Sequence, residues 1–589
     1  MLASLKALAV LALASTVAQA AVVTYNWNIT YVNANPDGLA ERRVIGVNGQ
    51  FPIPKIEVTL NDTLVINVIN QIDQPTSLHS HGLFQTGNAQ FDGPSMVTQC
   101  PIPPGANFTY TIPIEQHGTY WIHGHNRGQY VDGLRGPLVI HNLKETYQYD
   151  EEYTIALADW YHTEHEVMLE HYLSIFNPSG AEPVPESGLI NQQTNAKFNF
   201  VPGKTYRLRI INMSALAMFH FYIDGHEMEI IEVDGIDVER KAVTSFPVTA
   251  AQRYSVLVKA RADASQNFIL HADMDPSMFD VVPPELELKV TGTIVYAEGA
   301  PLAPSGVTDE YEPFNDALLV PTIPEATSTP DQIFPLTAAF SVLNDYSNKA
   351  TFNDITYVMP KVPTLYTALT TGNLSSNPEV YGKYSHPMVV KHNQWIEIII
   401  NNDDPGNHPF HLHGHVFQIV GRSTGKYNIE DGPYPGYLNS TNPSRRDTVL
   451  VPSEENVAIR FKANNPGVWL FHCHIEWHLQ AGLATTIIEA PEIMPSVLKV
   501  DPTHIEHCKA LGIPFRGNAA GKDGLDLEGA NIGPDPLPGT FTAKGIVALV
   551  FTIISALLGL ATVIWYARED DAHISAQVAQ AKITEEETH

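Results

Sequence analysis

The chain has 589 residues, which is enough for several domains. Its 64 acidic residues against 34 basic ones give a net charge of −30, which argues against nucleic acid as a partner and suits the attraction of cations. Charged residues make up only 17% of the chain, and short runs rich in Val, Ile, Thr and Tyr, such as 64–69 and 206–211, alternate with turns rich in Gly and Pro. This pattern predicts an all-β sandwich protein.

The N-terminus predicts secretion. Residues 1–20 carry one lysine, an apolar run and the sequence Ala18-Gln19-Ala20, which is typical of a signal peptide cleaved before Ala21. The mature chain would then enter an oxidising compartment. Sequons that predict N-glycans occur at Asn28, Asn61, Asn107, Asn212, Asn373 and Asn439.

Four histidine motifs follow, two near the start of the chain and two near its end. They are His79-Ser80-His81, His123-Gly124-His125, His408-Pro409-Phe410-His411-Leu412-His413 and His472-Cys473-His474-Ile475-Glu476-Trp477-His478. Since side chains alternate along a strand, Cys473 faces the side opposite to its two neighbours. Imidazole suits copper, zinc and iron, whereas a thiolate favours copper. The eleven histidine and cysteine side chains of these motifs outnumber the ligands of any usual zinc site, so the motifs predict metal centres joined through one thiolate.

These motifs resemble those of the multicopper oxidase family, which includes laccases, ascorbate oxidases and ferroxidases, and the resemblance covers roughly 21–491. It implies four copper ions. The type 1 ligands would be His408, Cys473 and His478, the type 2 ligands His79 and His411, and the type 3 ligands His81, His123, His125, His413, His472 and His474. Leu483 stands at the weak axial position of the type 1 site, where a side chain without a donor atom raises the copper potential.

The resemblance also implies the fold class, which is three cupredoxin-like Greek-key β-barrel domains, predicted at 21–142, 143–300 and 301–490. The trinuclear copper site would lie between the first and third domains. The second domain holds no histidine motif and would act mainly as a spacer, with some substrate contacts. The stretch 491–542, rich in Pro and Gly, is interpreted as a wrap followed by a stalk.

Two cysteines remain once Cys473 is assigned to metal. In a secreted protein, the leftover Cys100 and Cys508 predict a disulfide, which would tie the first domain to the tail of the last. Two unpaired buried thiols are the alternative.

The C-terminal region predicts a membrane anchor. The uncharged run 545–566 predicts a transmembrane helix over 543–567, and the hydrophilic tail 568–589 argues against a GPI signal. Together with the signal peptide, this predicts a single-pass type I protein of the plasma membrane with extracellular catalytic domains. A vacuolar membrane with a lumenal body is the alternative.

The copper core implies that a reductant gives up one electron at a time and that four electrons reduce dioxygen to water, but it does not fix the reductant. Glu182, Asp280 and Asp404 lie in segments that resemble those of the fungal membrane-anchored iron-uptake ferroxidases, whose acids form the iron site. Carboxylate oxygens stabilise Fe(III) over Fe(II), and Tyr357 is predicted to assist. The resemblance therefore implies Fe(II) and O2 as substrates and an iron permease as partner in the same membrane.

Two further acids concern the dioxygen end of the reaction. Asp92 and Glu476 resemble family residues that relay protons to the trinuclear site, although an ordinary Asp-Gly turn is the alternative for Asp92. Two rival hypotheses remain. One is a laccase-like oxidase of phenols, amines or Cu(I) with the same copper core, and the other is a non-catalytic copper-binding surface protein.

Overall fold

A computed structural model describes residues 20–306, 310–311, 313–438, 441–537 and 542–586. The predicted signal peptide, apart from Ala20, and the sequon at Asn439 lie outside the described residues. The chain divides into two units, one ending at Asp535 and one beginning at Pro536. The first unit is built from strands, as the sequence predicts, and the second holds one long helix.

The first pair of sheets in the body uses eight strands. They are β1 (Val22–Ala34), β2 (Arg42–Val47), β3 (Ile56–Thr59), β4 (Thr63–Asn70), β5 (Leu78–His81), β6 (Asn107–Pro113), β7 (Gly118–Gly124) and β8 (Arg135–His141). One sheet has the order β2-β1-β4-β6 and the other β3-β8-β7-β5. Along β4, the side chains of Leu64, Ile66 and Val68 are buried and alternate with more exposed ones, because successive side chains point to opposite faces.

The second pair of sheets uses the next eleven strands. They are β9 (Glu151–Trp160), β10 (Ser187–Ile190), β11 (Lys197–Asn199), β12 (Thr205–Asn212), β13 (Phe219–Ile223), β14 (Met228–Val233), β15 (Ile236–Val243), β16 (Phe246–Val248), β17 (Arg253–Lys259), β18 (Phe268–Met274) and β19 (Lys289–Val295). The sheet orders are β10-β9-β12-β17-β14-β15 and β11-β19-β18-β13-β16.

The third pair of sheets carries the last two histidine motifs. Its strands are β20 (Gln332–Val342), β21 (Asn348–Phe352), β22 (Pro387–Val390), β23 (Trp395–Asn402), β24 (His408–Leu412), β25 (Phe417–Thr424), β26 (Arg445–Arg446), β27 (Thr448–Val451), β28 (Glu455–Lys462), β29 (Gly467–Cys473) and β30 (Ala484–Glu489). The sheet orders are β21-β20-β23-β28-β25-β26 and β22-β30-β29-β24-β27.

The three pairs of sheets repeat one topology. The orders β2-β1-β4-β6, β10-β9-β12-β17 and β21-β20-β23-β28 correspond strand by strand. In each of them the second and third strands run parallel, whereas the flanking strands pair antiparallel. The predicted boundaries at 142 and 300 fall in the connections between these units.

Short helices lie between the strands and after them. The α-helices of the body are α1 (His165–Tyr172), α2 (Thr364–Thr370), α3 (Glu476–Ala481), α4 (Met494–Val497) and α5 (Pro502–Ala510). Turns of 3₁₀ helix cover Ala89–Phe91, Pro276–Met278, Asp316–Leu318, Gly372–Leu374, Pro378–Tyr381, Lys383–Ser385 and Ile429–Asp431. Cys508 on α5 forms a disulfide with Cys100, with 5.3 Å between their Cα atoms, so the predicted disulfide is confirmed.

The second unit contains helix α6 (Ala543–Glu586), which is 44 residues long. It is long and apolar enough over Ala543–Thr584 to cross a membrane, and none of its most apolar window is buried within the protein. About 20 residues suffice to span a bilayer, so the helix extends well beyond the predicted span of 543–567. The polar tail continues it because residues such as Ala, Gln and Glu are good helix formers.

One predicted glycosylation site is incompatible with the folded chain. The Asn212 side chain is fully buried, and its Nδ2 donates to the backbone oxygens of Ala217 and Val248, both at 2.8 Å. No glycan fits there after folding. The sequon asparagines at Asn61, Asn107 and Asn373 are exposed and Asn28 is partly exposed, so glycosylation at these four stays a prediction.

Candidate metal centres

A compact sulfur and nitrogen site lies at the end of β29. The Sγ of Cys473 is 3.4 Å from Nδ1 of His478 and 3.6 Å from Nδ1 of His408, and these two nitrogens are 3.0 Å apart. All three residues are buried. A soft thiolate with two imidazoles is the donor set that suits copper, and we call this group the thiolate site.

The surroundings of Cys473 favour the thiolate form of its side chain. Burial alone would raise the pKa of the Cys473 thiol, but the adjacent His478 and His408 lower it to about 7. Burial works against the charged form of His478 too, yet Cys473 and Glu182 raise the pKa of its imidazole to about 10. The site therefore places a negative sulfur among groups that stabilise its charge.

Leu483 lies directly beside the thiolate site. The Cys473 backbone N–H donates to the Leu483 oxygen at 3.1 Å, and the Leu483 N–H donates to the oxygen of His478 at 2.9 Å. Its side chain is buried and offers no donor atom. Leu483 therefore cannot act as a further metal ligand of the thiolate site.

Strand pairing brings the other eight histidines together. In the first pair of sheets, His79 on β5 stands opposite His123 on β7. In the third, His411 on β24 stands opposite His472 on β29. The resulting histidine cluster consists of His79, His81, His123, His125, His411, His413, His472 and His474. Groups of three within it, such as His125, His413 and His472, have ring nitrogens within 4.8 Å of one another.

Hydrogen bonds on one ring nitrogen leave the other free to bind metal. Nδ1 donates to a backbone oxygen in His79 (Asp92, 2.7 Å), His123 (Gly124, 3.1 Å) and His411 (Asp447, 2.9 Å). The Nε2 atoms of these three rings are buried and have no hydrogen-bond partner among the described residues. Such outer contacts fix the tautomer and orientation of a ligand imidazole, so the cluster fits a metal centre.

The electrostatics of the cluster lead to the same interpretation. Nε2 of His413 lies 3.2 Å from Nε2 of His472, an arrangement in which two lone pairs would repel each other without a cation between them. Burial lowers the pKa of these imidazoles, and the neighbouring histidines lower it further. The same holds for His81, His123, His125 and His474. Neutral imidazole is the form that binds metal.

Both predicted proton-relay acids lie at this cluster and are buried. Nδ1 of His413 donates to Oδ2 of Asp92 at 2.8 Å, so this residue holds one histidine by its carboxylate and another, His79, by its backbone oxygen. Burial raises the pKa of the Glu476 carboxyl to about 8. Glu476 neighbours Tyr130, whose hydroxyl lies 3.5 Å from the backbone oxygen of His474.

Asp447 is a contact of the cluster that the sequence does not reveal. Its Oδ1 lies 3.3 Å from Nε2 of His81, and its backbone oxygen accepts the bond from His411. Burial would raise the pKa of this carboxyl, but Arg253 in the second pair of sheets holds it well below its usual range. No motif marks Asp447, because its partners come from three distant segments.

An acidic cleft of about 200 Å³ opens beside the thiolate site. Nε2 of His478 donates to Oε1 of Glu182 at 2.8 Å, and Nε2 of His408 donates to Oδ2 of Asp404 at 3.0 Å. Asp280 lines the same cleft. Burial raises the pKa of its carboxyl, and the charges of Glu182 and Asp404 raise it further. The three predicted iron-site acids are thus gathered in one place.

Tyr357 does not belong to this group. It lines a different cleft, of about 490 Å³, which also exposes His125 of the histidine cluster. Its backbone N–H donates to the oxygen of Gly482 at 2.9 Å, one residue before Leu483 at the thiolate site. Tyr357 is not among the residues that line the acidic cleft, and its predicted assistance at the iron site stays a prediction.

Comparison with known proteins identifies the class. Family models described as multicopper oxidase match residues 28–145, 151–299 and 357–492. The chain is 46% identical over 593 residues, covering 98% of this chain and 95% of the relative, to the iron transport multicopper oxidase fetC of Epichloe festucae. The chain therefore belongs to the multicopper oxidase family, whose members are copper-dependent oxidases.

Solved structures agree with this assignment. Fet3p, a multicopper oxidase that functions in iron import, matches with a TM-score of 0.85 and 38% identity over 88% of this chain and 100% of that one. A laccase from Botrytis aclada matches with a TM-score of 0.75 and 29% identity over 84% and 92% of the two chains. The predicted fold class of cupredoxin-like domains is confirmed.

Proposed function

We propose that this chain is a membrane-anchored ferroxidase, which oxidises Fe(II) to Fe(III) and passes the electrons to dioxygen. One observation carries the proposal. Both imidazoles of the thiolate site donate their outer N–H to carboxylates of the acidic cleft, Glu182 and Asp404. A cation bound by these carboxylates would thus be connected to each imidazole through one carboxylate and one hydrogen bond. The names of the relatives, which refer to iron transport and iron import, support the same substrate.

The acidic cleft suits iron better than an organic reductant. Hard carboxylate oxygens bind Fe(III) more strongly than Fe(II), so an ion held by Glu182, Asp280 and Asp404 becomes a better electron donor. Pockets for drug-sized organic ligands are mostly apolar and typically about 300–1,000 Å³ in volume. This cleft measures about 200 Å³ and is lined by three acids.

The metal sites fit four copper ions. We assign the type 1 ion to His408, Cys473 and His478, the type 2 ion to His79 and His411, and the type 3 pair to His81, His123, His125, His413, His472 and His474. Bound copper supplies one-electron acceptance at the thiolate site and dioxygen reduction at the histidine cluster. Leu483 beside the thiolate site offers no donor atom, which would favour a high potential for copper held there.

The chain itself joins the two ends of the reaction. Cys473 belongs to the thiolate site, and its sequence neighbours His472 and His474 belong to the histidine cluster, so only a few covalent bonds separate the centres. The balanced reaction joins four Fe(II), one O2 and four protons to give four Fe(III) and two waters. Asp92 touches the cluster directly and Glu476 lies buried beside it, which suits both acids to deliver those protons.

The C-terminal helix determines where in the cell we expect the reaction to occur. Helix α6 provides the membrane span, and the signal peptide would put the oxidase body on the extracellular side of the plasma membrane. Because Fe(III) hydrolyses in water, a neighbouring iron permease in the same membrane would take the product directly. A vacuolar membrane is the alternative location.

Steady-state kinetics on the detergent-solubilised full-length protein test the proposal. We expect kcat/KM for Fe(II) to exceed that for a simple phenol by at least about tenfold, since one charge-assisted contact contributes about 1.4 kcal/mol or more. Comparable efficiencies would favour a laccase-like oxidase, for which the apolar Leu216, Met278 and Phe340 in the cleft offer some contact surface. Failure to bind copper at all would favour a non-catalytic protein.

A further inference from the structure

A buried ion pair connects the second pair of sheets with the third beside the histidine cluster. Arg253, the first residue of β17, donates from one terminal nitrogen to Oδ1 of Asp447 at 2.7 Å and from the other to Oδ2 at 2.6 Å. Its Nε donates to the backbone oxygen of Thr119 on β7 at 3.0 Å. Both members of the pair are buried. Arg253 therefore contacts all three pairs of sheets from the interior.

Asp447 in turn contacts one histidine from each half of the cluster. Its Oδ1 accepts from Nε2 of His81, at 3.3 Å, which leaves Nδ1 of that ring buried without a partner among the described residues. Its backbone oxygen accepts from Nδ1 of His411, which leaves Nε2 of that ring free. The two rings stack with their centroids 3.8 Å apart. One aspartate thus determines which nitrogen each ring presents to metal.

The surroundings leave Asp447 little freedom to act as a ligand itself. Arg253 takes both of its oxygens, and the hydroxyl of Thr448 donates to Oδ1 at 2.8 Å. The chain at Gly82, next to His81, passes so close that a Cβ there would lie 2.6 Å from the guanidinium and 2.7 Å from the carboxylate. The pair is therefore held in one geometry by fit as well as by charge.

We propose that Arg253 is a positioning residue for the copper-binding histidines, acting through Asp447, so that the second domain is a working part of the oxygen-reducing centre. This inference rests on the proposed function for the identity of the metal. It replaces the expectation that the domain is mainly a spacer. Outer contacts of this kind typically change metal affinity or activity by about 10- to 100-fold.

Arg446 offers a matched control. It is also a fully buried arginine that crosses from the third pair of sheets to the second, where its Nε donates to Asp234 at 2.9 Å and a terminal nitrogen donates to the Tyr254 hydroxyl at 3.0 Å. It also forms an ion pair with Asp316. Among the described residues, none of its contacts is a histidine of the cluster. Arg446→Lys therefore disturbs the same interface at Asp234, a residue that Arg446 shares with Arg253, and leaves the direct bonds between Arg253 and Asp447 in place.

The test compares Arg253→Lys, Asp447→Asn and Arg446→Lys in the full-length, copper-loaded protein. Three quantities are measured: copper retained per chain against a chelator, the electron paramagnetic resonance spectrum of the copper held by His79 and His411, and the thermal unfolding midpoint of the copper-free form. We expect Arg253→Lys and Asp447→Asn to weaken copper retention by about 10- to 100-fold and to alter the spectrum, with the blue absorption of the thiolate site kept. Arg446→Lys should lower only the unfolding midpoint.

The result that overturns the inference is a parental spectrum and parental copper retention in Arg253→Lys. An effect in Arg253→Lys that is absent from Asp447→Asn would also overturn it, because the arginine would then not act through the aspartate. If Arg253→Lys fails to fold, Asp447→Asn against Arg446→Lys still decides the question. Loss of iron specificity in the parent would reject the ferroxidase assignment alone, since these readouts concern copper and not iron.

Discussion

The acidic cleft and the histidine cluster use the same contact for opposite purposes. In both, a carboxylate accepts a hydrogen bond from one ring nitrogen of an imidazole that we assign to copper. At the cleft, the side chains of Glu182 and Asp404 are 18% and 19% exposed, so they can also reach a substrate cation. At the cluster, Asp92 and Asp447 are 0% and 2% exposed and can reach only the protein and what it encloses. Exposure, more than residue type, separates a substrate contact from a positioning contact.

Removing the thiolate would break the connection between the two regions and has the largest expected effect. We expect Cys473→Ser to abolish the blue absorption and to reduce iron oxidation by at least about 1000-fold, because a hydroxyl lacks the softness that binds copper. Oxygen uptake with Fe(II) measures the loss. The eight histidines are unchanged, so copper bound at the cluster should remain. Activity above about 1% of the parental value would show that electrons bypass Cys473.

Removing the cleft carboxylates tests the substrate side of the comparison. In the double variant Glu182→Ala, Asp404→Ala, we expect kcat/KM for Fe(II) to fall by about 100-fold, roughly tenfold for each charged contact. Oxidation of a phenol should change little. Asp403→Ala is the matched control, because that acid is 51% exposed, pairs with Lys426 and precedes Asp404 directly. An equal loss on iron and phenol would mean that the acids only tune the thiolate site.

Asp92→Asn tests the role of the buried carboxylate at the histidine cluster. The amide keeps the shape but loses the charge that accepts from Nδ1 of His413, so we expect reoxidation of the fully reduced enzyme by O2 to slow by about 10- to 100-fold. Oxidation of one equivalent of Fe(II) without oxygen should keep its parental rate. Rapid mixing separates the two steps. Parallel slowing of both would indicate a general loss of structure instead of a role at the oxygen end.

The sequence predicts those site residues that lie close together along the chain, and it does not predict those that meet only through packing. The ligands are local, because strand alternation places His472 and His474 on one side and Cys473 on the other. The three acids of the cleft are predicted because their short segments resemble those of the iron-uptake ferroxidases. Asp447 and Arg253 could not be found in this way, since they are 194 residues apart and meet only when two pairs of sheets pack.

The same limit applies to other predictions that depend on packing. Nothing in the sequence neighbourhood of Tyr357 tells which cleft it lines, and its assistance at the iron site stays a prediction. The sequon at Asn212 is correct as a pattern, yet folding buries its amide. The length of α6 is not set by hydropathy, which marks the end of a membrane span but not the end of a helix, so the predicted span of 543–567 stays a prediction.

Asp280 gives the smallest and most selective test of the comparison, because it lines the cleft without being hydrogen-bonded to a ligand imidazole. Burial and the charges of Glu182 and Asp404 raise the pKa of its carboxyl, so it takes up a proton at a higher pH than an ordinary aspartate. Iron binds to the deprotonated form, and the KM for Fe(II) should therefore rise as the pH falls through this raised pKa. We expect Asp280→Asn to raise the KM by about tenfold or less at neutral pH and to flatten its rise at acid pH. Phenol oxidation by the same variant should keep the parental pH profile. An unchanged slope for iron would show that a group other than Asp280 titrates.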